Sequence, residues 1–122
     1  MVERKTYDQL TPAQQSEAVR RNMAWQYDNE AEWRRYVIGS ARLAGWTVFY
    51  WQDSRRTTPG WPDLALLRVP DFILVELKTN TGRLTRQQQL CIAELQACGL
   101  NVHVWRPEDE ASVMQYLRRK TK

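Results

Sequence analysis

Asp63, Glu76 and Lys78 are the residues whose types and spacing point most directly to chemistry. The run Phe72 to Lys78, FILVELK, is apolar enough for a strand, yet it ends in a carboxylate and an ammonium. Alternation along a strand puts Phe72, Leu74, Glu76 and Lys78 on one face and Ile73, Val75 and Leu77 on the other. Glu76 and Lys78 are then same-face neighbours roughly 6 to 7 Å apart. If Arg68 to Asp71 forms a hairpin loop, Leu67 pairs with Phe72. The same register sets Asp63, at the start of the preceding strand, opposite Glu76, with Cβ atoms about 5 Å apart. Two like charges so placed are destabilising unless something sits between them. A divalent cation is the natural candidate, because magnesium is held by one or two carboxylates while keeping several waters. A metal withdraws charge from phosphoryl oxygens and lowers the pKa of bound water. Lys78 can hold the scissile phosphate or the attacking water and offset developing charge. Asp, Glu and Lys on one sheet face thus suffice for metal-assisted phosphodiester hydrolysis. An exposed ion pair at a sheet edge would explain Glu76 and Lys78 and leave Asp63 unexplained.

The dipeptide Pro-Asp occurs twice, and the two copies differ in kind. Asp71 is an odd number of residues from Glu76 and points to the opposite strand face. Val69-Pro70-Asp71 also has turn chemistry, which assigns Asp71 to the hairpin. Pro62 precedes a strand, where its missing N–H costs least.

The elements that position these residues follow from caps and breakers. Thr11-Pro12-Ala13-Gln14 is a capping box with proline at the first helical position, opening a polar helix to about Tyr27. Asn29-Glu30-Ala31-Glu32 opens a second helix that runs to about Ala44 and ends at Gly45. Three strands are predicted at Trp46 to Trp51, Asp63 to Arg68 and Phe72 to Lys78. Thr85-Arg86-Gln87-Gln88 opens a helix that Gly99 stops. Asn101 to Trp105 is a short strand, and Pro107 begins a last amphipathic helix leading into the basic tail. Antiparallel strands followed by a β, helix, β crossover give an α/β chain with a mixed sheet flanked by helices. We read residues 1–28 as a helical extension and 29–122 as one compact domain.

The chain has 122 residues, enough for one core and too few for two, and its 43% hydrophobic content and six tryptophans mark a folded protein. Lys and Arg outnumber Asp and Glu 18 to 14, for a net charge of +4. The excess is concentrated: between Trp33 and Ile92 there are nine basic residues and four acidic ones. A basic middle suits a phosphate-rich polymer. No apolar stretch approaches the ~20 residues of a membrane span, and MVERKTYDQL lacks a signal-peptide core, so the cytoplasm is the expected compartment. Cys91 and Cys98 share a helix face two turns apart, too far for a disulfide, and are read as buried thiols. With His103 the lone histidine and no CxxC, zinc is not expected. His103 alternates with Val102 and Val104 on a strand and is read as structural.

Pro62-Asp63 followed by Glu76-Leu77-Lys78 resembles the PD-(D/E)XK nuclease signature on its αβββαβ core. The closer resemblance is to the virus-type replication-repair nuclease (VRR-NUC) family, through Glu30, Gly45-Trp46, Gly60-Trp61-Pro62-Asp63, Glu76-Leu77-Lys78-Thr79, Gly82-Arg83-Leu84 and Thr85-Arg86-Gln87-Gln88. It covers roughly Glu30 to Pro107. The resemblance implies that Asp63, Glu76 and the backbone carbonyl of Leu77 bind Mg2+ or Mn2+ and that Lys78 is the catalytic lysine. It also implies a first-helix acid, acting directly or through a water. Glu32 is accounted for as the third residue of a helix capped by Asn29. Glu30 shares a face with Trp33, Val37 and Ala41 and is preferred. Gln88 has two readings, one as the partner of its Thr85 cap and one beside the lysine, ordering the site. Ser54, Arg55, Arg56, Arg83 and Arg86 flank the site as candidate DNA-phosphate contacts. Trp51 and Trp61 bracket the arginine loop and are read as anchoring it rather than stacking on bases.

The family implies a DNA endonuclease leaving 5′-phosphate and 3′-hydroxyl ends, needing no small-molecule cofactor, in a bacterial cell or a phage-infected host. Stand-alone members resemble Holliday junction resolvases and act as homodimers, so branched DNA is the expected substrate. Two other readings compete. A sequence-specific duplex endonuclease would need a base-reading element that the chain does not show. A non-catalytic DNA-binding or recruitment module would be free to lose the charged trio that this chain has.

Overall fold

The computed structural model describes residues 11–14, 29–51 and 58–120. Its elements are helix α1 (Glu30–Leu43), strands β1 (Thr47–Tyr50), β2 (Leu64–Arg68) and β3 (Asp71–Leu77), helix α2 (Arg86–Ala97), strand β4 (Asn101–Trp105), a 3-10 turn (Pro107–Asp109) and helix α3 (Glu110–Arg118). The strands lie in the order β1-β2-β3-β4. The first two pairings are antiparallel and β3 with β4 is parallel. Parallel neighbours need a crossover, and α2 supplies it. The result is the mixed α+β architecture expected of a PD-(D/E)XK-like core.

The caps act as the sequence predicts. Asn29 accepts from the Glu32 N–H at 3.0 Å, and Thr85 and Gln88 form a reciprocal capping box at the start of α2. Thr11 and Gln14 bond reciprocally at 2.9 and 3.2 Å around the helical turn of residues 12–14. The remainder of that predicted helix lies outside the described residues. Gly45 and Gly99, with φ of 91° and 85°, take the left-handed conformation that ends α1 and α2.

The β2–β3 register is the predicted one, Leu67 against Phe72 and Leu64 against Val75. The hairpin is tighter than expected. Arg68 pairs with Asp71, so Val69-Pro70 forms the turn and Asp71 is the first residue of β3. Asp71 turns to Arg119, whose Nη1 is 3.1 Å from its Oδ2. Strand ends also shift: β1 is Thr47–Tyr50 rather than Trp46 to Trp51, β2 starts at Leu64 rather than Asp63, and β3 stops at Leu77 rather than Lys78. Trp46 leaves the strand to enter the core.

The dry face of the sheet carries Leu64, Leu66, Ile73, Val75 and Leu77, closed over by Trp33, Val37, Ile38 and Ala41 of α1 and Val113, Met114 and Leu117 of α3. The last helix is tied down by polar groups as well. Trp46 Nε1 and Arg68 Nη1 both donate to the Leu117 carbonyl, at 2.9 and 2.8 Å. Arg68 also reaches the carbonyls of Ala44 at 3.2 Å and Arg119 at 2.6 Å, and its guanidinium lies 4.5 Å from the Trp46 ring centre. His103 packs between the Trp105 and Tyr116 rings at 5.6 and 5.1 Å, and burial, then the Arg119 charge, lowers its pKa. Cys98 corrects the expectation of buried thiols: it caps the exposed end of α2 and is exposed, while Cys91 is half-buried. No helix among the described residues is long and apolar enough to cross a membrane.

Replacing Arg68 removes three charge-assisted bonds to main-chain carbonyls and the stacking on Trp46. Arg68→Ala should therefore lose on the order of 3 kcal/mol. Urea unfolding measures it, and amide exchange in residues 110–118 should rise more than in α1.

Candidate active site

Asp63 is delivered by a loop with no room for a side chain. Gly60 has a φ of +90°, and a Cβ there would meet the Gln87 carbonyl oxygen at 2.5 Å and the Gln88 nitrogen at 3.0 Å. The Trp61 N–H closes the turn onto the Thr58 carbonyl at 3.1 Å, and the Trp51 and Trp61 rings meet edge to face at 6.1 Å. The backbone ahead of Pro62-Asp63 thus lies directly on the start of α2. Asp63 then bridges to the end of β3, where its Oδ2 accepts the Leu77 N–H at 2.8 Å. The missing ladder partner at the strand end is replaced by the carboxylate itself.

Glu76 is 2% exposed. Its Oε1 accepts from Gln88 Nε2 at 2.8 Å, while Gln88 Oε1 accepts the Thr85 N–H at 2.8 Å. Gln88 thus serves its Thr85 cap with one end of the amide and reaches Glu76, rather than Lys78, with the other. Glu76 Oε2 is buried and receives no hydrogen bond from a donor group; what Glu76 shares with Asp63 is a contact between two acids, which helps to raise its pKa. Glu30, in the first turn of α1, completes the cluster: one carboxylate oxygen from each of Glu30, Asp63 and Glu76 lies within 4.8 Å of the others. Glu32 is not in it.

Lys78 follows the strand. Its N–H donates to the Trp105 carbonyl at 3.1 Å, which also accepts Trp33 Nε1 at 3.0 Å. One carbonyl of β4 therefore fixes the lysine relative to the first turns of α1. The loop beyond is held by Arg106, whose Nη1 donates to the carbonyls of Thr79 at 2.6 Å and Gly82 at 2.5 Å. Asn80 Oδ1 accepts the Glu108 N–H at 2.8 Å. At Gly82 a Cβ would come 2.9 Å from Thr79 Oγ1 and 3.6 Å from Lys78 Cδ, so the loop passes beside the lysine stem and a side chain here would crowd Thr79.

The electrostatics follow from crowding. Burial, then the charge of Asp63, pushes Glu76 up to about 8, against the opposing pull of Lys78. Burial and Asp63 raise Glu30 as well, with Lys78 and Arg34 opposing. An orphaned, buried carboxylate oxygen beside two more carboxylates is a donor set for a hard divalent cation, and its all-oxygen character favours magnesium or manganese over zinc. Glu30, Asp63 and Glu76 would hold it. The Leu77 backbone lies against Asp63 through its N–H.

The other expected residues are less gathered. Ser54, Arg55 and Arg56 lie outside the described residues. Arg83 and Arg86 are exposed, one in the loop after Lys78 and the other at the first position of α2. Two arginines were missed by sequence reasoning. Arg34 stands one turn beyond Glu30, a spacing that was available in the sequence, with Nη2 3.7 Å from Asp63 Oδ1. Arg106 had no such local signal, since its role is set by a parallel strand pairing.

The raised Glu76 fixes the sign of a stability profile. The folded, metal-free chain keeps a proton on Glu76 that the unfolded chain releases near its ordinary value of 4.5. Stability is thus fullest below that value and falls as pH rises towards about 8. Thermal unfolding in chelator between about pH 5 and 8 should show this decline, and Glu76→Gln should flatten it. Equal slopes for the two proteins would contradict the assignment.

The VRR-NUC domain model matches residues 2–108 of the chain. Comparison with curated proteins and with solved structures gives no match. Because the family match takes in every element from α1 to β4 together with the carboxylate cluster, this chain belongs to the VRR-NUC family of nuclease domains.

Proposed function

We propose that the protein is a divalent-metal-dependent DNA endonuclease that cleaves branched DNA as a homodimer. The observation that carries the metal-dependent part is the meeting of Glu30, Asp63 and Glu76 within 4.8 Å, with one buried oxygen unpartnered. The basic surplus supports a nucleic-acid substrate. Branched substrate and dimer rest on the resemblance to stand-alone family members.

A bound Mg2+ or Mn2+ would polarise the phosphodiester and lower the pKa of a bound water. The rest is the work of the chain's own groups. Glu30, Asp63 and Glu76 offer the oxygen ligands, and the Leu77 carbonyl is the fourth candidate. Lys78, whose charge already stabilises ionised Glu30 and Glu76, stands to orient the attacking water and to balance charge on the phosphoryl oxygens. Gln88 holds Glu76 in one rotamer, so that a carboxylate oxygen remains aimed into the cluster. Attack of water on phosphorus with departure of the 3′ oxygen leaves a 5′-phosphate and a 3′-hydroxyl.

A panel of four-way junction, flap, nicked and linear DNAs with Mg2+ tests the substrate. Junctions should be cut fastest, and uniform cutting of linear duplex would remove the branched preference. Asp63→Asn should cut at less than about one-hundredth of the wild-type rate while still folding, since it removes a ligand from the metal. Gln88→Ala leaves the ligands in place but frees Glu76. We expect about 10- to 100-fold weaker Mn2+ binding by calorimetry. A chain that takes up no Mn2+ and cuts none of the DNAs would instead be a non-catalytic module.

A further inference from the structure

Arg34 is the charged residue at the site that neither the motif nor the metal accounts for. It lies one helical turn from Glu30, so the two share the face of α1 that looks over the cluster. Its Nε is buried without a partner, which places the stem within the packed part of the molecule rather than in solvent. The side chain as a whole is 35% exposed, and its Nη2 is 3.7 Å from Asp63 Oδ1. That is ion-pair range, but beyond the ~3.2 Å limit of a good hydrogen bond. The guanidinium thus lies beside Asp63 without being tied to it, and keeps its outer donors uncommitted among the described residues.

Charge balance indicates what those donors are for. Three ionised carboxylates are neutralised by one divalent ion and Lys78. A phosphodiester entering that neutral site adds one negative charge, and Arg34 is the positive charge at hand to meet it. Asp63, once it turns to a metal, has less to offer the guanidinium. A planar fork is also the geometry that grips two oxygens of one phosphate, which a lysine does as a point charge.

We infer that Arg34 is a phosphate-binding residue of the loaded site, released from Asp63 when metal enters and gripping the backbone of the DNA strand being cut. This rests on the nuclease reading above. The competing role is internal: Arg34 would simply hold Asp63 in place, and its loss would be felt in metal binding alone.

Salt dependence of DNA binding separates the two. Fluorescence anisotropy of a labelled four-way junction would be followed against KCl with Ca2+ in place of Mg2+, for wild type, Arg34→Ala, Arg34→Lys and Arg35→Ala. Arg35 neighbours Arg34, is exposed, and controls for the change in net charge. Loss of one phosphate contact should lower the magnitude of the slope of log K against log salt by about 0.7 to 0.9. We expect that drop for Arg34→Ala and not for Arg35→Ala. Arg34→Lys keeps the charge without the fork, so it should retain the wild-type slope while binding more weakly. Mn2+ binding by calorimetry should not weaken in Arg34→Ala. A wild-type slope in Arg34→Ala overturns the inference, as does an equal drop in Arg35→Ala. So does loss of Mn2+ uptake with DNA binding otherwise intact, which would assign Arg34 to Asp63. Should the wild type itself take up no Mn2+, the nuclease reading fails, and that arm involves no substitution at Arg34.

Discussion

Three carboxylates whose oxygens lie within 4.8 Å of one another repel, and much of the rest of the molecule serves to keep them there. Left to itself, such a cluster would open towards water, where each charge is better solvated. Here each acid is held by a different device. Asp63 is bonded to the Leu77 N–H, Glu76 to Gln88, and Glu30 is carried on a helix whose stripe is buried in the core. Because the restraints come from separate elements, the cluster cannot relax by moving one of them. The unfavourable energy is instead stored as a raised affinity for protons, visible at Glu76 and Glu30, and available to a cation.

The sheet makes this possible by dividing its faces. One face is wholly apolar and takes α1 and α3, so the strands are fixed by burial and not by anything the site needs. The other carries Glu76 beneath α2, and its charged end is left to the ligands. Helix α1 belongs to both regions: Trp33, Val37, Ile38 and Ala41 pack in the core, while Glu30 and Arg34 lie at the cluster. The Trp105 carbonyl joins these parts by accepting from Trp33 and from Lys78 together. A shift of α1 would therefore be felt by the lysine through a single oxygen.

Much of this could be read in advance. The hairpin register followed from turn chemistry and side-chain alternation, which are local, and it held from Leu64 to Phe72 and its partners. The caps at Asn29 and Thr85 were equally legible, because a cap is a bond between residues three apart. The strand ends were not. Asp63 and Lys78 were drawn inside strands, and both stand just outside, since what stops a ladder is the absence of a neighbour that no short window can display. Cys98 was placed inside for its apolar character, yet the helix end on which it sits is open to water.

By itself the sequence determined the pattern: three antiparallel strands, a crossover helix, and the acids and lysine spaced to share one end of a sheet. Those features depend on φ preferences, caps and period-two alternation, all of which act over a few residues. The tertiary structure decided how they meet. That Gly60 must lie on Gln87, that Arg106 holds the loop behind Lys78, and that Arg34 reaches Asp63 are contacts between segments 24 to 29 residues apart. Such contacts are fixed by packing around the common core, and no local preference of either partner contains them.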